Sequence, residues 1–189
     1  MVSFLLVYAT GEGQTTKVAT RIADALAERG HETTTVELGG GGGADVDVEA
    51  HDAVLVGASI HMGKHQKAVR RFVESHREAL AGRPTAFFQV SLSSATDEGA
   101  AEAAEYAEEL FERTDWHPDR IGLFGGALRF SEYGLLTRFM MKRIVKENMP
   151  DVDTGTDTEF TDWADVDAFA NDVAAFVEGR LGVVPPRAD

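Results

Sequence analysis

A short polar stretch near the N terminus carries the residue types that bind anions. It follows directly on an apolar run and consists of Thr10, Gly11, Glu12, Gly13, Gln14 and Thr15. At a turn from a buried strand into a helix, the first backbone N–H groups of the helix have no partner and the helix dipole is positive. The two threonine hydroxyls add donors, and the two glycines let the backbone approach an anion closely. The stretch therefore predicts an anion site that needs no lysine, with a plain helix cap as the alternative.

Alternating apolar and amphipathic runs indicate the elements that position this stretch. Apolar runs predict strands at Val2–Tyr8, Ala53–Ser59, Thr85–Leu92 and Ile121–Leu128, and an alternating run predicts one at Glu32–Leu38. Amphipathic runs predict helices at Thr15–Arg29, His65–Leu80, Asp97–Arg113, Leu135–Asn148 and Thr161–Gly179. Gly30 is expected to end the first helix and Thr161 to cap the last. This alternation of strands and helices predicts an α/β fold with a doubly wound, five-stranded parallel sheet, in which the second strand lies at the edge. In such sheets ligands bind beyond the carboxyl ends of the strands, where the strand order reverses.

Composition limits the classes of protein that fit. The 189 residues predict one domain over residues 1–180 and a tail at 181–189, with a flexible connector at the glycines of 39–43. The absence of cysteine excludes disulfides and thiolate chemistry and favours a reducing cytoplasm. A net charge of −14 disfavours nucleic-acid binding, and no run has the length of a membrane span. Scarce lysine and dispersed carboxylates are typical of proteins that work at high salt, with an ordinary acidic cytosolic protein as the alternative.

The N-terminal stretch also resembles a known cofactor-binding loop. Two apolar residues and an aromatic precede Thr10, and Gly13, Thr15 and Ala19 complete the pattern. The run resembles the phosphate loop that binds flavin mononucleotide (FMN) in flavodoxin-like proteins, and it differs from the Walker and dinucleotide-binding glycine motifs. The resemblance implies a flavodoxin-like sheet with strand order 2-1-3-4-5 and FMN as the cofactor, its phosphate bound at residues 10–15.

In that family the flavin ring lies between the loops after the third and fourth strands. The resemblance places the corresponding contacts at Ala58, Ser59, Ile60, His61, Met62, Gly63, Ser91, Leu92, Ser93 and Ser94. Gly57 and Gly63 let backbone groups reach the ring nitrogens. Electron-carrier flavodoxins place an aromatic on each ring face, whereas these loops offer only His61 and Met62, which suits an enzyme with an open ring face. His61 and His65 have the spacing of a metal pair, but we expect no metal because Gly63 separates the loop from the helix.

An insert of 32 residues, 129–160, separates the fifth strand from the last helix. Motifs in and around it resemble the quinone-dependent protoporphyrinogen oxidases of the flavodoxin-like type; they lie at 57–60, 116–120, 126–130, Tyr133, 138–140 and 161–163. The resemblance covers nearly the whole chain. It implies that a porphyrinogen is oxidised in haem biosynthesis, with electrons passing through FMN to a membrane quinone; a homo-oligomer is left open.

The start of the insert is a basic island in an acidic chain. Residues 129–146 hold five basic side chains against one acid, so they carry +4 while the rest of the chain carries −18. On a helix one arc is apolar, with Leu136, Met140, Met141, Ile144 and Val145, and the other holds Arg138, Lys142, Arg143 and Lys146 together with Leu135 and Phe139. Residues 134–148 could lie on the anionic inner face of the cell membrane, hold the propionates of a substrate, or dock on the sheet with a solvated basic face.

Three side chains are candidates for catalysis or substrate binding. Histidine titrates near neutrality, so His61 is a candidate base beside the ring, or a side chain that shields one ring face. Arg129 and Arg138 could hold a propionate by two-pronged contacts, or pair with a nearby carboxylate. Trp116 and Trp163 are expected to pack rather than to bind a ring. Three other functions stay open: a soluble electron carrier, an NAD(P)H:quinone reductase on the same scaffold, and a flavodoxin-like domain that binds no flavin.

Overall fold

A parallel sheet with helices on both faces forms the body of the protein. The computed structural model describes residues 1–39, 46–131 and 134–184. The chain forms β1 (Ser3–Tyr8), β2 (Glu32–Glu37), β3 (Ala53–His61), β4 (Lys64–His65), β5 (Thr85–Ser91), β6 (Arg120–Gly125), β7 (Ala127–Leu128) and β8 (Thr158–Glu159). The five long strands are parallel in the order β2-β1-β3-β5-β6, while β4 pairs antiparallel with β3, and β7 pairs with β8 apart from the sheet. Counted along the chain, the long strands have the predicted order 2-1-3-4-5, with the second strand at the edge.

The described residues form six helices where five were predicted, because two helices occupy the region of the second predicted one. They are α1 (Gln14–Glu28), α2 (Lys67–Ser75), α3 (Arg77–Ala81), α4 (Ala100–Thr114), α5 (Leu135–Asn148) and α6 (Trp163–Leu181). The helix predicted over 65–80 is wrong, because His65 belongs to β4 and the chain leaves the helical conformation at His76. The strand predicted to run to Leu128 divides at Gly126. Residues 40–43 of the predicted connector, Tyr133 of the insert and 185–189 of the predicted tail lie outside the described residues.

The cap predicted for the last helix is also wrong. The carboxylate of Asp162 accepts hydrogen bonds from the N–H groups of Ala164 at 2.9 Å and Asp165 at 3.4 Å, so Asp162 caps α6. The hydroxyl of Thr161 instead donates to the carbonyl oxygen of Gly125 at 2.6 Å. Thr161 therefore ties the start of α6 to the end of the last long strand.

Side chains alternate between the two faces of the sheet and form a hydrophobic core on each. Along β1, Phe4 and Leu6 belong to one core, and Leu5 and Val7 to the other. The first core includes side chains of α1 and α6, and the second those of α2, α3 and α4. Because both faces are covered, the inner strands are apolar throughout, which is why they were visible as unbroken runs. A third, smaller cluster contains the buried side chains Leu128, Phe130 and Val145 and supports the insert.

The middle of the sheet requires glycine at position 57. A Cβ atom there would lie 2.2 Å from Cζ of Phe88, a fully buried ring on the neighbouring strand. We expect Gly57→Ala to lower the free energy of unfolding by about 1–3 kcal/mol, because the ring cannot move without displacing its neighbours. Urea unfolding measures the loss. Gly179→Ala is the matched control, since a Cβ in that exposed helical position meets nothing within 4 Å; an equal loss at both positions would contradict the steric argument.

Two bidentate ion pairs join α6 to the region of α1. Arg21 donates from Nε and Nη2 to Asp167, each at 2.6 Å, with 46% and 34% of the two side chains exposed. Arg29 donates to Glu178 at 2.6 and 2.8 Å, and there only 29% and 6% are exposed. Nε2 of the buried His31 lies 2.8 Å from the same carboxylate, while its Nδ1 accepts from the Val2 N–H at 3.3 Å. The Arg29 hydrogen bonds are the main reason why the pKa of Glu178 lies below its usual value.

Candidate functional site

A cavity of about 720 Å³ lies beyond the carboxyl ends of β1, β3 and β5. This is where the strand order reverses, since β2 lies on one side of β1 and β3 on the other. The cavity brings together most of the residues singled out in the sequence: Thr10, Gly11, Glu12, Gln14, Thr15, Ser59, Ile60, His61, Met62, Gly63, Ser91, Leu92 and Ser93. Five others do not line it: Gly13, Ala58, Ser94, Arg129 and Arg138.

Four of these five residues have identified surroundings elsewhere in the protein. Ala58 is buried within β3, and the Oγ of Ser94 lies 2.7 Å from that of Ser91. Nη2 of Arg129 donates to Oε1 of Gln14 at 3.3 Å. The charges of Arg129 and Arg138 both lower the pKa of Asp157, although the largest cause is the hydrogen bond from Ser131. Of the two alternatives, the structure therefore favours an interaction within the protein for Arg129. Arg138 lies outside the cavity lining, on the helix that also contributes Met140 and Met141 to that lining.

The polar end of the cavity has the properties of an anion site. Gly13, the left-handed residue with φ +83° that precedes α1, makes no side-chain cap, and the first turn of α1 holds no acidic residue. The Gly13 N–H donates to Oγ1 of Thr10 at 2.9 Å, which fixes the turn. Oγ1 of Thr15 is buried and has no hydrogen-bond partner among the residues that the structure describes. A buried hydroxyl without a partner costs about 1–3 kcal/mol, so it indicates a ligand atom at this position.

A tight hairpin forms one wall. Ile60 pairs with His65 and His61 with Lys64, so that Met62 and Gly63 form a two-residue turn with φ values of +50° and +72°. Left-handed conformations at both positions are typical of a type I′ turn, which matches the twist of paired strands. The sequence predicted a loop that leads straight into a helix here, because a two-residue strand has no periodicity.

The two histidines of this hairpin have different surroundings. His61 is exposed and lines the cavity, whereas His65 does not line it, and its Nε2 lies 2.8 Å from Oε1 of the buried Gln89. Burial lowers the pKa of His65. Among residues 1–39, 46–131 and 134–184, no group of three or more His, Asp or Glu side chains is placed to hold a metal ion.

The wall after β5 includes residues that the sequence analysis missed. They come from the segment that leads into α4 and from its first two turns: Thr96, Glu98, Gly99, Glu102 and Tyr106. Tyr106 donates to Glu102 at 2.6 Å, which is the main reason why the pKa of the phenol rises to about 12. Ser93 donates to the other oxygen of Glu102 at 2.5 Å and is the main cause of its lowered pKa. The only sequence signal was the four-residue spacing of Glu102 and Tyr106, which places both on one helix face.

The apolar end of the cavity is formed by the insert. Helix α5 contributes Met140, Met141, Ile144 and Val145, and Met149 follows it. The arc predicted to be apolar therefore borders the cavity, as far as its side chains are described. Phe139 on the opposite arc is 72% exposed, and the hairpin tip Met62 is 77% exposed. In the described part of the chain no helix combines the length and the hydropathy needed to cross a membrane.

The sheet order, the uncapped helix after β1 and the cavity at the reversal point together define a flavodoxin-like protein. A family model described as flavodoxin domain matches residues 5–154, and the chain belongs to this family. Trp116 and Trp163, which the sequence analysis assigned to packing, lie in or against the hydrophobic cores.

More specific similarity comes from a curated relative. Protoporphyrinogen IX dehydrogenase (quinone) of Escherichia coli (strain K12) is 32% identical over 171 residues, which are 90% of this chain and 93% of the relative. Oxidised flavodoxin 1 from Bacillus cereus superimposes with a TM-score of 0.56 at 16% identity and covers 93% of this chain and 97% of its own. A Fusobacterium nucleatum flavodoxin bound to flavin mononucleotide gives 0.51 at 12% identity and covers 95% and 99%. The two structures share the fold.

Proposed function

We propose that the cavity binds FMN and that the protein oxidises protoporphyrinogen IX with a quinone as electron acceptor. The observation that carries the cofactor assignment is the buried, unpartnered hydroxyl of Thr15 at the start of an uncapped helix. A phosphate oxygen at that position satisfies the hydroxyl and the first N–H groups of α1 together. The E. coli relative, matched over 93% of its length, supports the substrate and the acceptor.

In this proposal, residues at the polar end of the cavity bind the phosphate of FMN, and residues at the other end surround the flavin ring. The α1 amides and the hydroxyls of Thr10 and Thr15 hold the phosphate, and the backbone of residues 59–63 and 91–93 borders the ring. FMN, when bound, supplies the redox chemistry. His61 stands at the rim, where its imidazole can shield a ring face or accept a proton released by the substrate. The methionines of α5 exclude water from this end and offer polarizable contacts to a large ring.

The insert favours an enzyme over a simple electron carrier. An electron carrier needs only an exposed ring edge, whereas here α5 extends the cavity with an apolar wall. Arg138 and Lys142 are half-buried cations on the same helix, each two residues from Met140 in the sequence. A porphyrinogen has an apolar macrocycle with propionate groups, and the combination of methionines and cations fits both parts.

An anaerobic assay tests this function. Protein loaded with FMN is expected to convert protoporphyrinogen IX to fluorescent porphyrin only when a quinone is present. The double variant Arg138→Glu/Lys142→Glu is expected to lose at least about tenfold in kcat/KM with unchanged flavin content, because propionates meet a reversed charge. The double variant Arg77→Glu/Arg113→Glu is the control, since both arginines are exposed and outside the cavity. Bleaching of the flavin by NADPH without any response to the porphyrinogen would instead identify a reductase.

We also propose that α5 contacts the cytoplasmic face of the cell membrane, where a quinone is found. Phe139, Met140 and Ile144 are exposed large apolar side chains on this helix, and Met62 lies at the mouth of the same cavity. The helix also carries four cations in a chain with a net charge of −14, so attraction to anionic lipid must be local. Insertion of the apolar groups beside the cations would bring the cavity mouth to the lipid.

Vesicle binding tests the membrane contact. We expect the protein to sediment with vesicles that contain anionic lipid and not with neutral vesicles, and Phe139→Glu to weaken binding by about tenfold because an exposed aromatic anchor is lost. Ile121→Glu is the control, since Ile121 is 50% exposed on β6, outside the cavity. Equal sedimentation with neutral vesicles would contradict the proposal.

A further inference from the structure

Two side chains of α4, Glu102 and Tyr106, connect the turn after β5 with the tip of the hairpin formed by β3 and β4. Glu102, in the first turn of α4, accepts from the Ser93 hydroxyl on one oxygen and from the Tyr106 hydroxyl on the other, at 2.5 and 2.6 Å. Ser93 begins the short turn after β5. The Tyr106 ring lies against the hairpin tip, where a Cβ at Gly63 would be 3.5 Å from the phenol oxygen. These four residues all line the same cavity.

The turn after β5 and the hairpin are each held by other contacts at their base. The hydrogen bonds of Glu102 therefore act on the parts of the two segments that lie beyond those contacts. The turn after β5 is fixed where the Ser94 N–H donates to Oγ of Ser91 at 3.1 Å. It also packs tightly on the start of α4, since a Cβ at Gly99 would lie 2.2 Å from the carbonyl oxygen of Ser93. The hairpin is fixed at its base, where the Ser59 N–H donates to Oε1 of Gln66 at 3.2 Å. The tip beyond that base rests on Tyr106.

We propose that Glu102 is a positioning residue that sets the distance between the hairpin tip and the turn after β5, and with it the fit of a flat ring between them. This inference rests on the proposed FMN site. A raised phenol pKa and a lowered carboxyl pKa keep Tyr106 protonated and Glu102 ionised at neutral pH. Both contacts are therefore hydrogen bonds to a charged acceptor, which are shorter and stronger than neutral ones.

Three single variants test the network without touching the phosphate end. Ser93→Ala and Tyr106→Phe each remove one hydroxyl, and Glu102→Ala removes their shared acceptor. We expect FMN to dissociate with a Kd about tenfold higher for Glu102→Ala and about threefold to tenfold higher for each hydroxyl variant. The visible circular dichroism of bound FMN is expected to change in all three, because it reports the surroundings of the ring. Glu108→Ala, an exposed glutamate of the same helix outside the cavity, is the control for charge.

Combining the variants separates a shared link from two independent contacts. If both hydroxyls act through Glu102, then adding Ser93→Ala or Tyr106→Phe to Glu102→Ala changes the Kd no further. Fully additive effects, or a Kd and a dichroism spectrum for Glu102→Ala equal to those of the unchanged protein, would overturn the proposal.

A measurement without flavin separates this proposal from the FMN assignment. In the flavin-free protein, amide hydrogen exchange at residues 61–64 is expected to be faster in Glu102→Ala than in the Glu108→Ala control. Unchanged exchange would also count against Glu102. Failure of the unchanged protein to bind FMN while Glu102→Ala loosens the hairpin would reject the cofactor assignment and leave the link between the two segments in place.

Discussion

Thr15→Val is expected to weaken FMN binding by about 10–100-fold, while the flavin-free protein becomes equally or more stable. The hydroxyl of Thr15 is buried, lines the polar end of the cavity and has no partner in the described structure. With phosphate present it donates to a charged oxygen, which is worth about 1.5–3 kcal/mol. Without a ligand it is a desolvated donor, and valine of nearly the same shape removes that cost. Opposite effects on FMN affinity and on the stability of the flavin-free protein would indicate that the Thr15 hydroxyl serves ligand binding rather than folding.

Fluorescence titration with FMN and thermal unfolding of the flavin-free variant measure the two effects. Thr20→Val is the matched control, because Thr20 is exposed on the same helix and its hydroxyl donates to the Thr16 carbonyl at 2.9 Å. It is expected to leave the Kd unchanged. Equal FMN affinity in Thr15→Val and the unchanged protein would show that the phosphate is not bound at this turn.

Glu178→Ala is expected to lower the free energy of unfolding by about 3 kcal/mol. The Glu178 side chain is 6% exposed, and its carboxylate accepts hydrogen bonds from both Arg29 and His31. Its removal therefore leaves the Arg29 guanidinium and the His31 imidazole without their acceptor. Asp167→Ala removes the same kind of bidentate pair from the same side of the protein, where 46% and 34% of the two side chains are exposed. Asp167→Ala is the control and is expected to lower the free energy of unfolding much less, since exposed ion pairs contribute little to stability. Equal losses would show that burial is not what makes the Glu178 pair important.

The contribution of Glu178 also depends on pH in a known direction. The pKa of this carboxyl is lowered in the folded protein, first by the hydrogen bonds from Arg29 and then by the one from His31. The unfolded chain therefore binds the proton more readily, and the stabilisation is complete above the unfolded pKa and disappears as the pH falls through the folded one. Denaturant unfolding from neutral pH to acid is expected to show the gap between the unchanged protein and Glu178→Ala closing. A gap that is constant across this range would contradict the assignment.

The sheet and the polar end of the site were predictable because they depend on local patterns. A strand covered on both faces, such as β1, must be apolar throughout, and the Thr10–Thr15 turn carries its donors within six residues. The bounds of α5 were also predicted correctly, since a basic arc opposite an apolar one specifies a helix. These features need no knowledge of what packs against them.

The features of the fold and of the site that the sequence did not predict depend on contacts between distant segments. The turn at Met62–Gly63 requires two residues in the left-handed conformation. A non-glycine residue such as Met62 gives no indication in the sequence that it adopts this conformation. Thr161 and Asp162 are both good capping residues, and the hydrogen bond to Gly125 decides which of them is left to cap α6. Glu102 and Tyr106 enter the cavity wall only because α4 lies beside the hairpin. No pattern within α4 indicates that neighbour.

The separate hydrophobic cluster beneath the insert has a consequence for how such proteins diversify. Leu128, Phe130 and Val145 support this segment apart from the two cores of the sheet, and its strands pair only with each other. Exchange of the segment can therefore change which molecule is admitted and leave both cores of the sheet in place, provided that two contacts with the phosphate end are kept: Arg129 with Gln14 and Glu159 with Lys17. With these contacts preserved, residues 127–160 are a natural unit for engineering new substrate preferences.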